Sequence, residues 1–384
     1  MGDRIKQPFQ LPLNVSTSLL SSMSRLPILA DTWYAHHYSD LCEPFESLLQ
    51  ENFPAWVISL ARRVGIVRGW LFFLIAQQHS LTLTSTQIRG AKAFFIFEAL
   101  LGTARKRLIL LEFIQPMKGR SRSILKRSMH YVWLYWILKR VLRRSLLIAL
   151  VLTEWERSLY SEFFGIPEEH FVFIPWPKRR RNDRLVDALA PAAAERVVVS
   201  SGREACDWET LFQAAEGQDW SLRIICSRRD LSRVRRLNRN GIADVLCEIP
   251  RKHHQSQVKR AAVYVLSLFE RQRSSGHVRI SDATGAGIPI VATAVKGIEG
   301  YIDEGETGLL VPPGDVLLLR SAVNRLLADA SYGQKLARNA FDRAANHTFE
   351  DYMAEIGVLI RRAVQRGTGT TDSHDVRHTS ITTI

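Results

Sequence analysis

Along the second half of the chain, short runs that are apolar on both faces alternate with amphipathic stretches. Residues 196–204 (RVVVSSGRE), 222–226, 245–250, 263–269 (VYVLSLF) and 288–293 (IPIVAT) read as strands. Continuous apolar runs are expected of strands in a parallel sheet covered on both sides. Helices are predicted between and after them, over 231–240, 277–286, 316–329, 332–346 and 348–364. Gly287 stops the second of these. The first half alternates in the same way. Helix is predicted at 55–63, 91–101 and 124–144, and strand at 79–86, 107–116 and 145–153, with Pro116 ending the middle strand. Strands alternating with helices point to an α/β fold with parallel sheets.

The pattern fades at three places. Residues 1–30 read as a flexible N-terminus, with no legible opening strand. Residues 178–195 carry KRRR and APAAA and read as a solvated hinge. Residues 366–384 are polar and Thr-rich and read as disordered. At 384 residues the chain suits two domains, placed at 31–190 and 191–365.

Charge separates the two halves. The formal net charge is +14. Residues 1–195 hold 26 Lys+Arg against 16 Asp+Glu, a net of +10, which leaves +4 for the remainder. Residues 105–144 carry twelve basic residues and one acid, Glu112. Such a field draws anions. Within it, the 124–144 helix has Tyr131, Trp133, Tyr135 and Trp136 between basic ends. It suits a helix lying in a membrane interface, a domain helix with solvated ends, or a polynucleotide contact. No apolar run reaches the roughly 20 residues of a membrane span, and residues 1–30 do not read as a signal peptide. The expected location is the cytoplasm, peripheral on the cytoplasmic face of a membrane. Cys42, Cys206, Cys226 and Cys247 have no metal-ligand spacing and suggest a reducing compartment.

One stretch carries candidate chemistry. Gly276 marks a helix start beside the end of the 263–269 strand, an arrangement that offers unpaired amides to a phosphate. Asp282 lies six residues further along. The adjacent His253 and His254 cannot share a helix face and read as surface residues.

Residues 274–315, SSGHVRISDATGAGIPIVATAVKGIEGYIDEGETGLLVPPGD, resemble the C-terminal domain of retaining, nucleotide-sugar-dependent glycosyltransferases of family 4. Asp282-Ala283 falls on the family's E-A, residues 287–293 on its strand, and residues 303–315 on its D-G-x-x-G-x-L-V-x-P-G-D ending. The likeness extends with gaps over about 151–361, where Phe164-Gly165-Ile166-Pro167 and Ile174-Pro175-Trp176-Pro177 also match. It implies the GT-B fold, two Rossmann-like domains facing across a cleft, with the last helix crossing back onto the first.

The resemblance implies donor-binding roles for Arg203, Gly276, His277, Val278 and Asp282. The diphosphate would meet the amides of 276–278 and Arg203, and Asp282 would face the ribose. Arg203 can equally be a surface ion pair, and His277 a solvent-facing first-turn residue. Ser274 stands where the family has an acid that contacts the donor sugar. Glu154, at the end of the 145–153 strand, is either a cleft carboxylate or a helix N-terminal charge. Ser274 and Glu154 are the catalytic candidates, with no dedicated nucleophile. The implied reaction is sugar transfer with retention, with neither cofactor nor metal. Its partners would be a nucleotide sugar, an acceptor lipid or glycan, and an anionic membrane surface through 105–144, with nucleic acid disfavoured. The alternatives are a soluble acceptor, or a degenerate module that binds sugar nucleotide or polyanion without turnover.

Overall fold

The computed structural model describes residues 28–31, 35–117, 123–177, 196–344 and 347–367. The predictions for 1–27, the 178–195 hinge and the 368–384 tail lie outside these residues.

The first domain runs β1 (Ile28–Asp31), β2 (Cys42–Pro44), α1 (Phe45–Asn52), α2 (Ala55–Arg63), α3 (Gly65–Ala76), β3 (Leu81–Thr84), α4 (Ala91–Leu101), β4 (Leu108–Leu110), α5 (Ile124–Tyr131), a π-helical segment (Val132–Leu138), α6 (Lys139–Ser145), β5 (Leu146–Val151), α7 (Glu154–Phe164) and β6 (Phe171–Phe173). The second runs β7 (Val197–Gly202), α8 (Trp208–Ala215), β8 (Ser221–Cys226), α9 (Leu231–Leu237), β9 (Ala243–Cys247), α10 (Arg251–Lys259), β10 (Val263–Leu266), α11 (His277–Gly285), β11 (Ile290–Thr293), β12 (Leu309–Val311), α12 (Val316–Ala328), α13 (Ala330–Arg343) and α14 (Phe349–Gly367).

Each domain holds one six-stranded parallel sheet, in the orders β2-β1-β3-β4-β5-β6 and β12-β11-β10-β7-β8-β9. The second is the doubly wound order, reversing between β7 and β10. The first reverses between β1 and β3. In open α/β sheets ligands sit outside the strand ends at such a reversal. Strand cores confirm the two-sided burial read from the apolar runs: every residue of β5, β10 and β11 is buried. The last helix packs on the first domain. Tyr352, Met353, Ile356 and Ile360 of α14 join Ile28, Leu81 and Ile148 in one core of the first domain, and Tyr38 Oη donates to Met353 O at 2.6 Å.

Two expectations are corrected. Residues 28–30, placed in a flexible N-terminus, belong to β1, a fully buried strand inside the first sheet. Four residues are too few to show a period. The 124–144 helix is interrupted by the π turn, where a wider i→i+5 winding rotates the side chains relative to a regular helix. This buries Leu134 and Leu138 and leaves Tyr135 and Trp136 outward, so the aromatics never share one α-helical face.

Candidate functional site at the reversal of the second sheet

The ends of β7 and β10 are wired together by buried polar contacts. Ser201 Oγ lies 2.6 Å from Tyr264 Oη and 2.9 Å from His254 Nε2, so α10 is tied to both strands. Arg279 on α11 donates to Ser201 O at 2.6 Å. Gly202, the last residue of β7, leaves room for this contact, because a Cβ there would stand 2.2 Å from both Arg279 Nη1 and Cys206 Sγ. Asp282, one turn beyond Arg279, is half-buried. Burial raises its carboxyl above the usual range, against the charges of His254 and Arg251. His254 is held below the usual imidazole range by burial, with Asp282 opposing. The cluster therefore joins one carboxylate to a neutral imidazole, with Arg251 and Arg203 exposed at its margin.

The start of α11 is the second feature. Gly276 takes φ +102°, and a Cβ there would come within 2.9 Å of Leu266 Cδ2 and 3.2 Å of Ile298 Cγ2. Only glycine combines that conformation with that packing. The amides of Gly276, His277 and Val278 precede the first bonds of the helix, which Arg279 N and Ile280 N make to Gly276 O at 2.9 and 3.0 Å.

This helix start lies at the seam between the domains. Ser274 N donates to Glu156 Oε1 at 2.9 Å, and Ser281 Oγ to Pro177 O at 2.6 Å. Tyr301 Oη donates to Leu152 O at 2.8 Å and accepts from Trp176 N at 2.9 Å. Glu156 also accepts from Leu152 N and Tyr160 Oη, both at 3.1 Å. Burial raises its carboxyl, against the backbone bonds from Ser274 and Leu152.

The predicted site residues divide. Gly276 caps the start of α11, and Val278 and Asp282 lie on that helix. Arg203 follows β7 and is exposed. Ser274 is buried, with a hydroxyl that lacks a hydrogen-bond partner among the described residues. His277 is not the solvent-facing first-turn residue of one expectation. Its ring is buried between Trp176 and Tyr301, with centroids 5.5 and 6.2 Å away, and Nδ1 has no partner among the described residues. It is therefore not a solvent-facing residue but part of the packing between domains. Glu154 is corrected as well. It is exposed and paired with Arg157 at the outer start of α7, while Glu156, two residues on and facing the opposite side of the helix, is the acid at the seam. His254, read as a surface residue, is also a member of the cluster. Adjacent histidines do point apart: His253 is exposed and His254 turns inward.

At the reversal of the first sheet, Asp31 ends β1. Arg68 of α3 donates to it at 2.7 Å and also pairs with Glu46. Burial pushes the Asp31 carboxyl up to about 6, against the Arg68 charge.

Comparison with known proteins gives these features a context. The family described as Glycosyl transferases group 1 matches residues 205–329. A D-inositol 3-phosphate glycosyltransferase of Stackebrandtia nassauensis is 32% identical over 127 residues, covering 32% of this chain and 28% of that protein. An exopolysaccharide phosphotransferase of Streptomyces coelicolor is 35% identical over 123 residues, covering 30% of this chain and 13% of that protein. The matched segment thus spans less than a third of either relative. Among solved structures, the sucrose-phosphate synthase of Thermosynechococcus elongatus superposes with a TM-score of 0.62 at 19% identity, covering 78% of each chain. Anabaena HepE in complex with UDP-glucose gives 0.62 at 14% identity, covering 88% of this chain and 99% of that one.

Proposed function

We propose, from the premise that residues 205–329 are a glycosyl transferases group 1 domain set in a GT-B fold, that this protein moves a sugar from a nucleotide-sugar donor to an acceptor. The observation that carries this reading is the cluster where the second sheet reverses. It combines a glycine-started helix, a half-buried carboxylate on that helix, and arginines at the margin. A leaving diphosphate gains charge as the glycosidic bond breaks, so fixed donors aimed at it accelerate the step. The amides of Gly276, His277 and Val278 and the Arg203 guanidinium take that role here. Asp282 orients the ribose hydroxyls, with the Arg251 charge opposing the burial that raises its carboxyl.

The transfer proceeds with retention. The acceptor oxygen bonds to the anomeric carbon as the bond to the diphosphate oxygen breaks. The acceptor's proton passes to a phosphate oxygen. Ser274 offers its hydroxyl to the donor sugar. No resident cofactor or metal is invoked. The acceptor is lipid-linked or held at a membrane surface, a reading supported by the basic, aromatic stretch over 105–144, and no helix among the described residues is long and apolar enough to cross a membrane.

The test is a thermal-shift panel of nucleoside diphosphates and their sugars. A donor at 100 times its dissociation constant stabilises by about 2.7 kcal/mol. If no nucleoside diphosphate moves the midpoint, the reading fails. A second reading, binding without turnover, draws on Ser274 standing in place of an acid. A donor that stabilises the protein and is neither hydrolysed nor transferred to any lipid or glycan acceptor would favour it.

A further inference from the structure

The outer helical layer of the first domain has the wrong surface for water. Helices α2, α3, α4 and the π segment pack side by side in that order. Each buries one face in the core, yet each also carries a second apolar stripe pointing outward. On α3 the stripe is Ile66, Trp70 and Leu74, at four-residue spacing; Trp56 and Trp136, at the two edges of the layer, are 69% and 75% exposed. Nineteen large hydrophobic side chains are exposed among the described residues, and sixteen of them fall between Trp56 and Trp136. The second domain contributes almost none, so this is a patch and not a scatter.

The charge of the same layer is one-sided. Residues 53–111 hold eight Lys+Arg and a single acid, Glu98. That acid is buried and paired with Arg107 at 2.7 Å. Residues 123–153 hold six Lys+Arg and no acid. Arg62 and Arg68 pair with Glu46, and Arg68 also with Asp31, but the other basic groups of the layer, Arg107 aside, have no acid on it among the described residues. An apolar centre edged with tryptophan and tyrosine and ringed by such cations complements an anionic lipid leaflet. The rings and aliphatic stripes enter the acyl boundary while the basic groups meet headgroup phosphates. A second copy of this chain is a poor occupant, because a two-fold contact would set cations against cations. Nucleic acid would leave Ile66 and Leu74 without a partner.

We infer that this four-helix face docks the protein on an anionic bilayer surface, which refines the 105–144 contact by adding α2, α3 and α4. The layer reaches the cleft edge, since Arg68 on α3 bonds Asp31 at the end of β1. A docked molecule therefore holds the first-domain side of its cleft near the lipid. The inference rests on the transfer reading only in what it implies for the acceptor.

The experiment is co-flotation of the full chain with phosphatidylcholine vesicles, with and without phosphatidylglycerol, followed by tryptophan emission. Partition onto the anionic vesicles with a blue shift is expected, weakened by salt. Trp56→Ser with Trp136→Ser should weaken partition at least tenfold, while Leu317→Ser with Leu318→Ser, on the second domain, should leave it unchanged. Both pairs should keep the wild-type melting midpoint and the wild-type shift with donor, so a failed donor reading and a failed docking reading are told apart. Absence of partition, equal loss in the two pairs, or self-association relieved by Trp56→Ser with Trp136→Ser would overturn the inference.

Discussion

Lowering the pH should weaken this protein through one buried ring. His277 sits wholly inside the seam, and burial, reinforced by the charges of Arg279 and Arg273, pushes its imidazole down to about 3. In the unfolded chain the same ring binds a proton near its ordinary value of about 6.5. Between those two values the unfolded state binds more protons than the folded state, so stability falls as pH falls through that window. At pH 5 the gap from 6.5 is 1.5 units, and at 1.36 kcal/mol per unit the loss relative to neutral pH is about 2 kcal/mol. For domains of this size that is roughly 4–8 °C in melting midpoint.

The perturbation that isolates this ring is His277→Phe, which keeps an aromatic group between Trp176 and Tyr301 but cannot titrate. Melting midpoints of both proteins at pH 7.5 and pH 5 supply the comparison. His254, also held low by burial, contributes to both proteins alike and cancels. The variant should lose about 2 kcal/mol less than the wild type on acidification. At pH 7.5 it should lie within about 1 kcal/mol of wild type, because removing the unpartnered Nδ1 offsets the slightly larger ring. Equal losses in the two proteins, or a His277 ring whose magnetic resonance signals titrate near 6.5 in the folded state, would refute the reasoning.

Three further outcomes follow from the same contacts. Asp282→Ala should weaken nucleotide-sugar affinity by about 10- to 150-fold, the equivalent of a charge-assisted bond of about 1.5–3 kcal/mol. Calorimetric titration reads it, and an unchanged affinity would remove Asp282 from the site. Glu98→Ala should cost about 3–5 kcal/mol in denaturant unfolding, because it strands the buried Arg107 charge; a loss under 1 kcal/mol would contradict the pairing. Ser274→Glu should lower transfer instead of raising it, since it sets a second carboxylate beside buried Glu156, and a rise in kcat over wild type would tell against this crowding.

The second domain was legible because its central strands β10 and β11 are fully buried apolar runs and Gly276 and Gly287 mark the two ends of α11. The first domain was harder for identifiable reasons. Strands β1 and β2 have four and three residues, and neither stands out from its surroundings as a longer apolar run. Helix α3 is apolar almost all round, since it is buried on one side and carries Trp70 and Leu74 on the other, so it shows no helical stripe. Glu156 went unread in the sequence because a strand end predicts who is near a cleft but not which side of the following helix faces it. Arg279, Ser201 and His254 became visible only when the crossover between β7 and β10 brought residues 53 and 78 positions apart within hydrogen-bond reach.

That crossover also bears on the serine at 274. The resemblance leaves this position without the acid expected to meet the donor sugar, and an acid does arrive there, from the other domain. Glu156 is not free to replace it. Its two oxygens already accept from Ser274 N, Leu152 N and Tyr160 Oη, so it holds the loop before α11 against the first domain. What remains beside the helix start is a buried hydroxyl with no well-formed hydrogen bond among the described residues, although it lies close enough to Glu156 to oppose the rise of that carboxyl. A buried polar group in that condition costs stability unless something else satisfies it. The chain has therefore exchanged a charged contact for a neutral one and turned the nearby charge into a clamp between domains. On the proposed transfer reading, the latch between the domains, and not a carboxylate at 274, is what holds this helix start in place.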